Sequence, residues 1–189
     1  MTRNRLATAL LAAAALLSIL GLPTDSLAAS HGDQTEADAR AMYAGLRSQA
    51  LSTTAAEIGV ATTLPAYGAL IEFLIDGETV TLVAFATGDG SLYFSPGGGM
   101  IGGIEIPAVA DAAKAFVTAA GGIAPTLPKT ETFPHPQGEE IRFYVLTSEG
   151  VRTGSAEPEA LETGRHPLSP LFLAANHMIS GFTTAEQPR

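Results

Sequence analysis

Cysteine and tryptophan are both missing from this chain of 189 residues, and lysine occurs only twice, as Lys114 and Lys129. Without cysteine there is no disulfide framework, no thiolate metal site, no cysteine nucleophile and no lipid-modified N-terminal cysteine. The fold must therefore stand on its apolar core. Without tryptophan, and with four tyrosines, a sugar-stacking cleft is poorly supplied. A glycosidase carboxylate pair would have to be assembled in space, because the acids are scattered singly apart from Glu139-Glu140. Ten Lys plus Arg face nineteen Asp plus Glu, a formal charge of −9. Phosphate binding needs clustered cations, so this balance argues against nucleic acid and anionic lipid headgroups as partners. The spacings H-E-x-x-H, G-x-S-x-G and S-x-x-K are absent as well, which removes the usual helical zinc site and the usual serine nucleophiles.

The N-terminus is what the chain does supply in quantity. Arg3 and Arg5 give a positive start, Leu6 to Leu22 is mainly apolar, and Pro23-Thr24-Asp25 breaks the run before Ser26-Leu27-Ala28. That is the layout of a secretory signal peptide over residues 1–28, and it predicts an exported protein, periplasmic or secreted. The alternative for the same residues is an uncleaved membrane anchor, since the run approaches the roughly 20 residues needed to span a bilayer. Residues 29–189 are long enough for one domain with its own core. They hold no second stretch of membrane length.

Beyond a short polar lead, Ala39, Met42, Tyr43, Leu46 and Ala50 recur at helical spacing, predicting a helix from Thr35, as cap, to about Leu51. Residues 52–65 read either as a short helix around Ala55 to Ile58 or as a loop. ALIEFLI (69–75), ETVTLVAFA (78–86) and SLYFS (91–95) read as three antiparallel strands. Asp76-Gly77 makes the first turn and Gly88-Asp89-Gly90 the second. A helix is expected from Pro107 to Ala120, ended by Gly121-Gly122, with Val109, Ala112, Ala113, Phe116 and Val117 buried. After a proline-rich connection, IRFYVLT (141–147) and a short partner around Val151 to Thr153 form two more strands. A short helix at Pro158 to Glu162 precedes a last one from Ser169, as cap, to about Ile179, closed by Gly181. The economical solution is an α+β domain: one antiparallel sheet of about five strands packed with three or four helices, in a rhythm like that of profilin-like or roadblock-like folds.

SPGGGMIGG (95–103) contains G-x-G-x-x-G at Gly97, Gly99 and Gly102. As a dinucleotide turn it is out of place. Ile104-Glu105-Ile106-Pro107 separates it from the next helix, and Glu105 would repel a pyrophosphate. No G-K-[ST] follows for a P-loop, and no cofactor is expected. Two readings remain: a backbone that turns where only glycine turns easily, or a run of exposed amides that grips a small ligand or partner strand. The strings VTLVAFATGDGSLYFSPGGGMIGG (80–103), IRFYVLTSEGVRT (141–153) and GRHPLSPLFLAANHMI (164–179) resemble a family of uncharacterised bacterial exported proteins with a SLYFS-x-GGG-x-IGG stretch. That resemblance implies a shared fold and carries no activity.

Of the four histidines, His31 lies in the polar lead and His177 on the last helix. His135 has Glu139 and Glu140 nearby, a conceivable metal set without regular ligand spacing. His166 follows Arg165 and precedes Ser169 in GRHPLSPLF, where it either acts as a general base near a serine or an anion, or serves locally at the helix start. The reading of the residues is an exported noncatalytic module that binds a protein or small ligand through Gly97, Gly98, Gly99 and Gly102, with Arg165 and His166 as further ligand-binding candidates. The alternative is a small periplasmic hydrolase using His166. A self-assembling protein using its sheet edge is a third possibility.

Overall fold

A computed structural model describes residues 32–185, with side chains over 35–184. The signal-peptide segment and His31 lie outside the described residues. One antiparallel sheet organises the fold: β1 (Gly68–Ile75), β2 (Glu78–Phe85), β3 (Gly90–Phe94), β4 (Gly99–Met100), β5 (Ile141–Thr147) and β6 (Gly150–Ala156), in the order β4-β3-β2-β1-β5-β6. The expected α+β architecture is present, with six strands instead of five. The additional one, β4, has two residues and pairs Leu92 with Met100 and Tyr93 with Gly99. Around the sheet run α1 (Gly32–Ser52), α2 (Pro107–Ile123), α3 (Pro158–Glu162) and α4 (Ser169–Ala185).

The chain meanders outward from β1 to β4 and returns along α2. It then lays β5 on the other side of β1, so β1 becomes a central strand, paired with β2 from Gly68 to Ile75 and with β5 from Gly68 to Glu72. The turn at Asp76 and Gly77 has φ of 52° and 83°, the positive pair that a two-residue hairpin in a right-twisted sheet requires.

Strand alternation divides the core into two. On one face Ile71, Phe73, Val80, Leu82, Leu92 and Phe143 pack under α2 and α4, which bring Phe116, Val117, Phe172, Met178 and Phe182. On the other, Leu70, Val83, Tyr93, Tyr144 and Leu146 meet α1 through Tyr43, Ala50 and Leu51. One face thus carries two long helices and the other carries one.

Several boundaries differ from the expected ones. Helix α1 is already running at Gly32, so Thr35 lies within it and not at its cap. Residues 55–59 form a turn, closed by Thr54 N–H donating to Glu57 Oε2 (2.7 Å) and Glu57 N–H to Thr54 Oγ1 (3.3 Å). Gly121 does not end α2. It sits inside the last turns, where an added Cβ would lie 3.1 Å from Pro65 Cβ. Gly181 likewise lies within α4, facing Val109 of α2. In both helices the missing side chain permits close approach, and tertiary packing outweighs the helix-ending tendency of glycine.

Candidate functional site

The glycine stretch is the tip of the β3–β4 hairpin and the start of the return to α2. Phe94 accepts from Gly97 N–H (3.0 Å) and donates its own N–H to Gly98 C=O (3.2 Å). Gly97, Gly98, Gly99 and Gly102 have φ of 113°, 86°, 146° and 81°, a sequence of conformations that side chains resist. Two of them also have no room. A Cβ at Gly99 would fall 2.2 Å from the Leu92 carbonyl oxygen, and one at Gly97 would fall 2.7 Å from Ala39 Cβ on α1. Much of this glycine is therefore required by the fold itself, so that β4 can lie on β3 and the hairpin can approach α1.

That close approach leaves a groove. It is about 450 Å³ and runs between α1 and the hairpin. Ala39, Met42, Tyr43 and Leu46 form the helical wall, while Tyr93, Gly97, Gly98, Gly99 and Ile101 provide the floor and the far side. The two most exposed large hydrophobic side chains among the described residues, Met42 (69%) and Ile101 (68%), both line it. Met42, one of the residues recurring at helical spacing in α1, is turned to the groove because Tyr43, Arg47 and Ala50 take the sheet-facing positions. Exposed apolar side chains that converge on one concavity mark an interaction surface more strongly than the same residues scattered.

Behind the groove lies a polar cluster that the sequence reading missed. Arg47 of α1 donates from Nε to Glu72 Oε1 (2.6 Å) and from Nη2 to Glu72 Oε2 (2.8 Å), and Nη2 also reaches the Phe133 carbonyl (3.0 Å). Glu72, in the middle of β1, is fully buried. Thr81 Oγ1 donates to it (3.0 Å) and pairs in turn with the Tyr43 hydroxyl (2.8 Å). Burial pushes the Tyr43 phenol up to about 12. Burial opposes the charge on Arg47 more than any single contact favours it, but the hydrogen bonds and the charge of Glu72, with the nearby Tyr43 and Tyr144, together hold the guanidinium above its usual value. His135 stacks on Tyr43 with ring centroids 6.1 Å apart, and burial together with the Arg47 charge lowers its pKa. The cluster ties α1 and the 133–135 segment to the sheet. The signal for it was a lone Glu72 within an apolar strand, because a buried carboxylate requires a cation or several donors.

The other candidates lie elsewhere. Leu168 packs over Gly154 of β6, whereas Phe182 reaches Gly103 beside the glycine stretch. They lie fourteen positions apart along α4 and the residue that precedes it, about 21 Å at 1.5 Å per residue. Arg165 and His166 are thus near one edge of the sheet, and Gly97 to Gly102 are at the other. His166 Nδ1 accepts the Leu168 N–H (3.2 Å), and its carbonyl accepts the Ser169 N–H (2.9 Å). Ser169 does not cap α4. Its buried hydroxyl donates to the Leu161 carbonyl (2.7 Å), linking α3 to α4. Arg165 is exposed and His177 faces outward on α4. Glu140 is held by Arg142 at 2.6 Å. Among the described residues no group of three or more His, Asp or Glu side chains is placed to hold a metal ion, and no helix is long and apolar enough to cross a membrane.

Compared with protein-family models, curated proteins and solved structures, the chain matches none.

Proposed function

We propose that this protein is an exported, noncatalytic binding module whose ligand or partner seats in the groove between α1 and the β3–β4 hairpin. The observation that carries this reading is the convergence of exposed Met42 and Ile101 on a concavity of about 450 Å³ walled by apolar side chains and bare glycine backbone. Gly97, Gly98 and Gly99 act as the frame of the site: they bring the hairpin against α1 and leave backbone accessible where side chains would fill the floor. Export rests on the N-terminal pattern of Arg3, Arg5, the apolar run to Leu22 and Ser26-Leu27-Ala28. Mass spectrometry of the protein recovered outside the cytoplasm checks it; an intact Met1 or a retained N-terminal segment would count against cleavage after Ala28.

The hydrolase alternative gains no support from the geometry around His166. The serine nearest in sequence, Ser169, is engaged by the Leu161 carbonyl, and His166 Nδ1 is engaged by the Leu168 amide. A thermal-shift series against short peptides, long-chain amphiphiles and sugars tests the two readings together. A ligand at about a hundred times its dissociation constant adds about 2.7 kcal/mol of stability. The shift should vanish in Met42→Ser/Ile101→Ser and survive in His166→Ala. The opposite pattern would overturn the groove as the site.

A further inference from the structure

Resting on the binding reading above, we infer that the occupant of the groove is an extended, cationic and apolar peptide segment of a partner protein, added as a further strand outside β4. Three features converge on this chemistry. The first is the open edge. Phe94 N–H bonds to Gly98 C=O, and Met100 stands opposite Leu92. In an antiparallel ladder the groups of alternate residues point to opposite sides, so the N–H and C=O of the intervening Gly99 face outward, and Gly98 and Gly99 are exposed. β4 is the terminal strand of the sheet. An unpaired edge is satisfied by another backbone and not by an acyl chain.

The second feature is the uncovered sheet face beside that edge. Met100 packs into the core beneath α2 and α4, which places Gly99 and Ile101 on the α1 side by alternation. There the floor of the groove is Tyr93, Gly99 and Ile101, with Met42 overhanging it from α1. A strand laid along β4 would direct every second side chain into this space, covering Ile101 and Met42.

The third feature is charge. No lysine or arginine lines the groove, whereas Asp38 does and stands in no ion pair among the described residues. Arg40, two residues on in α1, is already held by Glu36 and Glu78, each at 2.9 Å. Glu105, just beyond the hairpin, is exposed. Together with a chain charge of −9, this disfavours a second copy of the same acidic surface and favours a segment carrying Lys or Arg.

The test uses the full chain and three fluorescein-labelled synthetic peptides, read by anisotropy. One alternates Lys and Val, one has Glu in place of Lys, and one is the Lys–Val peptide N-methylated on alternate amides so that it cannot pair as a strand. The Lys–Val peptide should bind. The Glu–Val and N-methylated peptides should bind about tenfold more weakly or not at all. Asp38→Lys should weaken the Lys–Val peptide by about fivefold, the scale of a lost surface ion pair compounded by repulsion, and Ile101→Ser should weaken it comparably. If all three peptides bind alike and Met42→Ser/Ile101→Ser abolishes them alike, the groove is a general apolar site: the strand inference fails and the binding reading stands. If none binds, and the long-chain amphiphiles also give no groove-dependent shift, both fail. Sedimentation showing a dimer that Ile101→Ser dissociates would overturn the inference in favour of a second copy.

Discussion

Replacing Arg47 by methionine would strip Glu72 of both charge-assisted hydrogen bonds while keeping most of the packing volume under α1. Glu72 is fully buried and would retain only Thr81 as a donor, at 3.0 Å. Each hydrogen bond to a charged group contributes about 1.5–3 kcal/mol, and removing one member of a buried ion pair costs about 3–5 kcal/mol in measured cases. The two routes agree on a loss of about 4 kcal/mol. For a domain of this size, about 2–4 °C per kcal/mol converts that to a fall in melting temperature of about 10 °C. The double variant Arg47→Met/Glu72→Met removes the stranded charge and leaves the Tyr43–Thr81 hydroxyl pair intact, so it should return to within about 1 kcal/mol of the parent, because an apolar pair avoids the desolvation cost of the ions. Urea titrations of the parent, the single and the double variants measure all three values. A single variant that costs under about 1 kcal/mol would refute the reasoning, as would a double variant no more stable than the single. Either outcome would mean that Glu72 reaches water or another donor.

Other substitutions probe the hairpin, the helix junction and the stacked histidine. Gly99→Ala should destabilise by at least about 2 kcal/mol in a urea titration, since the new Cβ would lie 2.2 Å from the Leu92 oxygen at a φ of 146° and one strained residue alone costs about 1–3 kcal/mol. Ser169→Ala should cost about 1 kcal/mol by removing the buried hydroxyl's hydrogen bond to the Leu161 carbonyl, which keeps the Gly164 N–H (3.2 Å) as a second donor, and it should leave peptide binding at the distant groove unchanged in the anisotropy assay. His135 has a lowered pKa through burial and the Arg47 charge, so between about pH 6.5, its unfolded value, and its lower folded value the unfolded chain binds the extra proton. Stability is then complete above about pH 6.5 and declines as the pH falls through this window. His135→Phe, which keeps a ring on Tyr43, should flatten that decline in melting temperatures taken from pH 7 to pH 5. An equally steep decline in the variant would remove His135 as its origin.

Local chemistry made much of this protein legible. Residues 78–86, read as a strand, place Val80, Leu82 and Ala84 on one face and Thr81 and Val83 on the other, because a strand repeats every two residues whatever its surroundings. Asp76-Gly77 specified its turn for the same reason. The buried stripe of α2, and the short helix at Pro158–Glu162, were equally readable from spacing and proline placement. Readings that depended on what lies across the fold fared differently. Gly121 and Gly181 seemed to end helices and instead let them pack. Met42 shares the helical spacing of Tyr43 and Ala50 yet overhangs the groove, which spacing alone does not distinguish.

By itself, the sequence determined the α+β class, five of the six strands and their turns, the acidic balance of the chain and the lack of any thiol chemistry, since each follows from composition or from neighbours a few residues apart. Only the tertiary structure decided that Arg47 meets Glu72 across 25 positions of chain. It alone placed the glycine stretch against Ala39 of α1 and set His166 at the far end of α4 from that stretch. Long-range contacts such as these follow from the order of strands in the sheet and from which helix covers which face. No periodicity along the chain encodes either, because both are settled by the joint burial of surfaces distant in sequence.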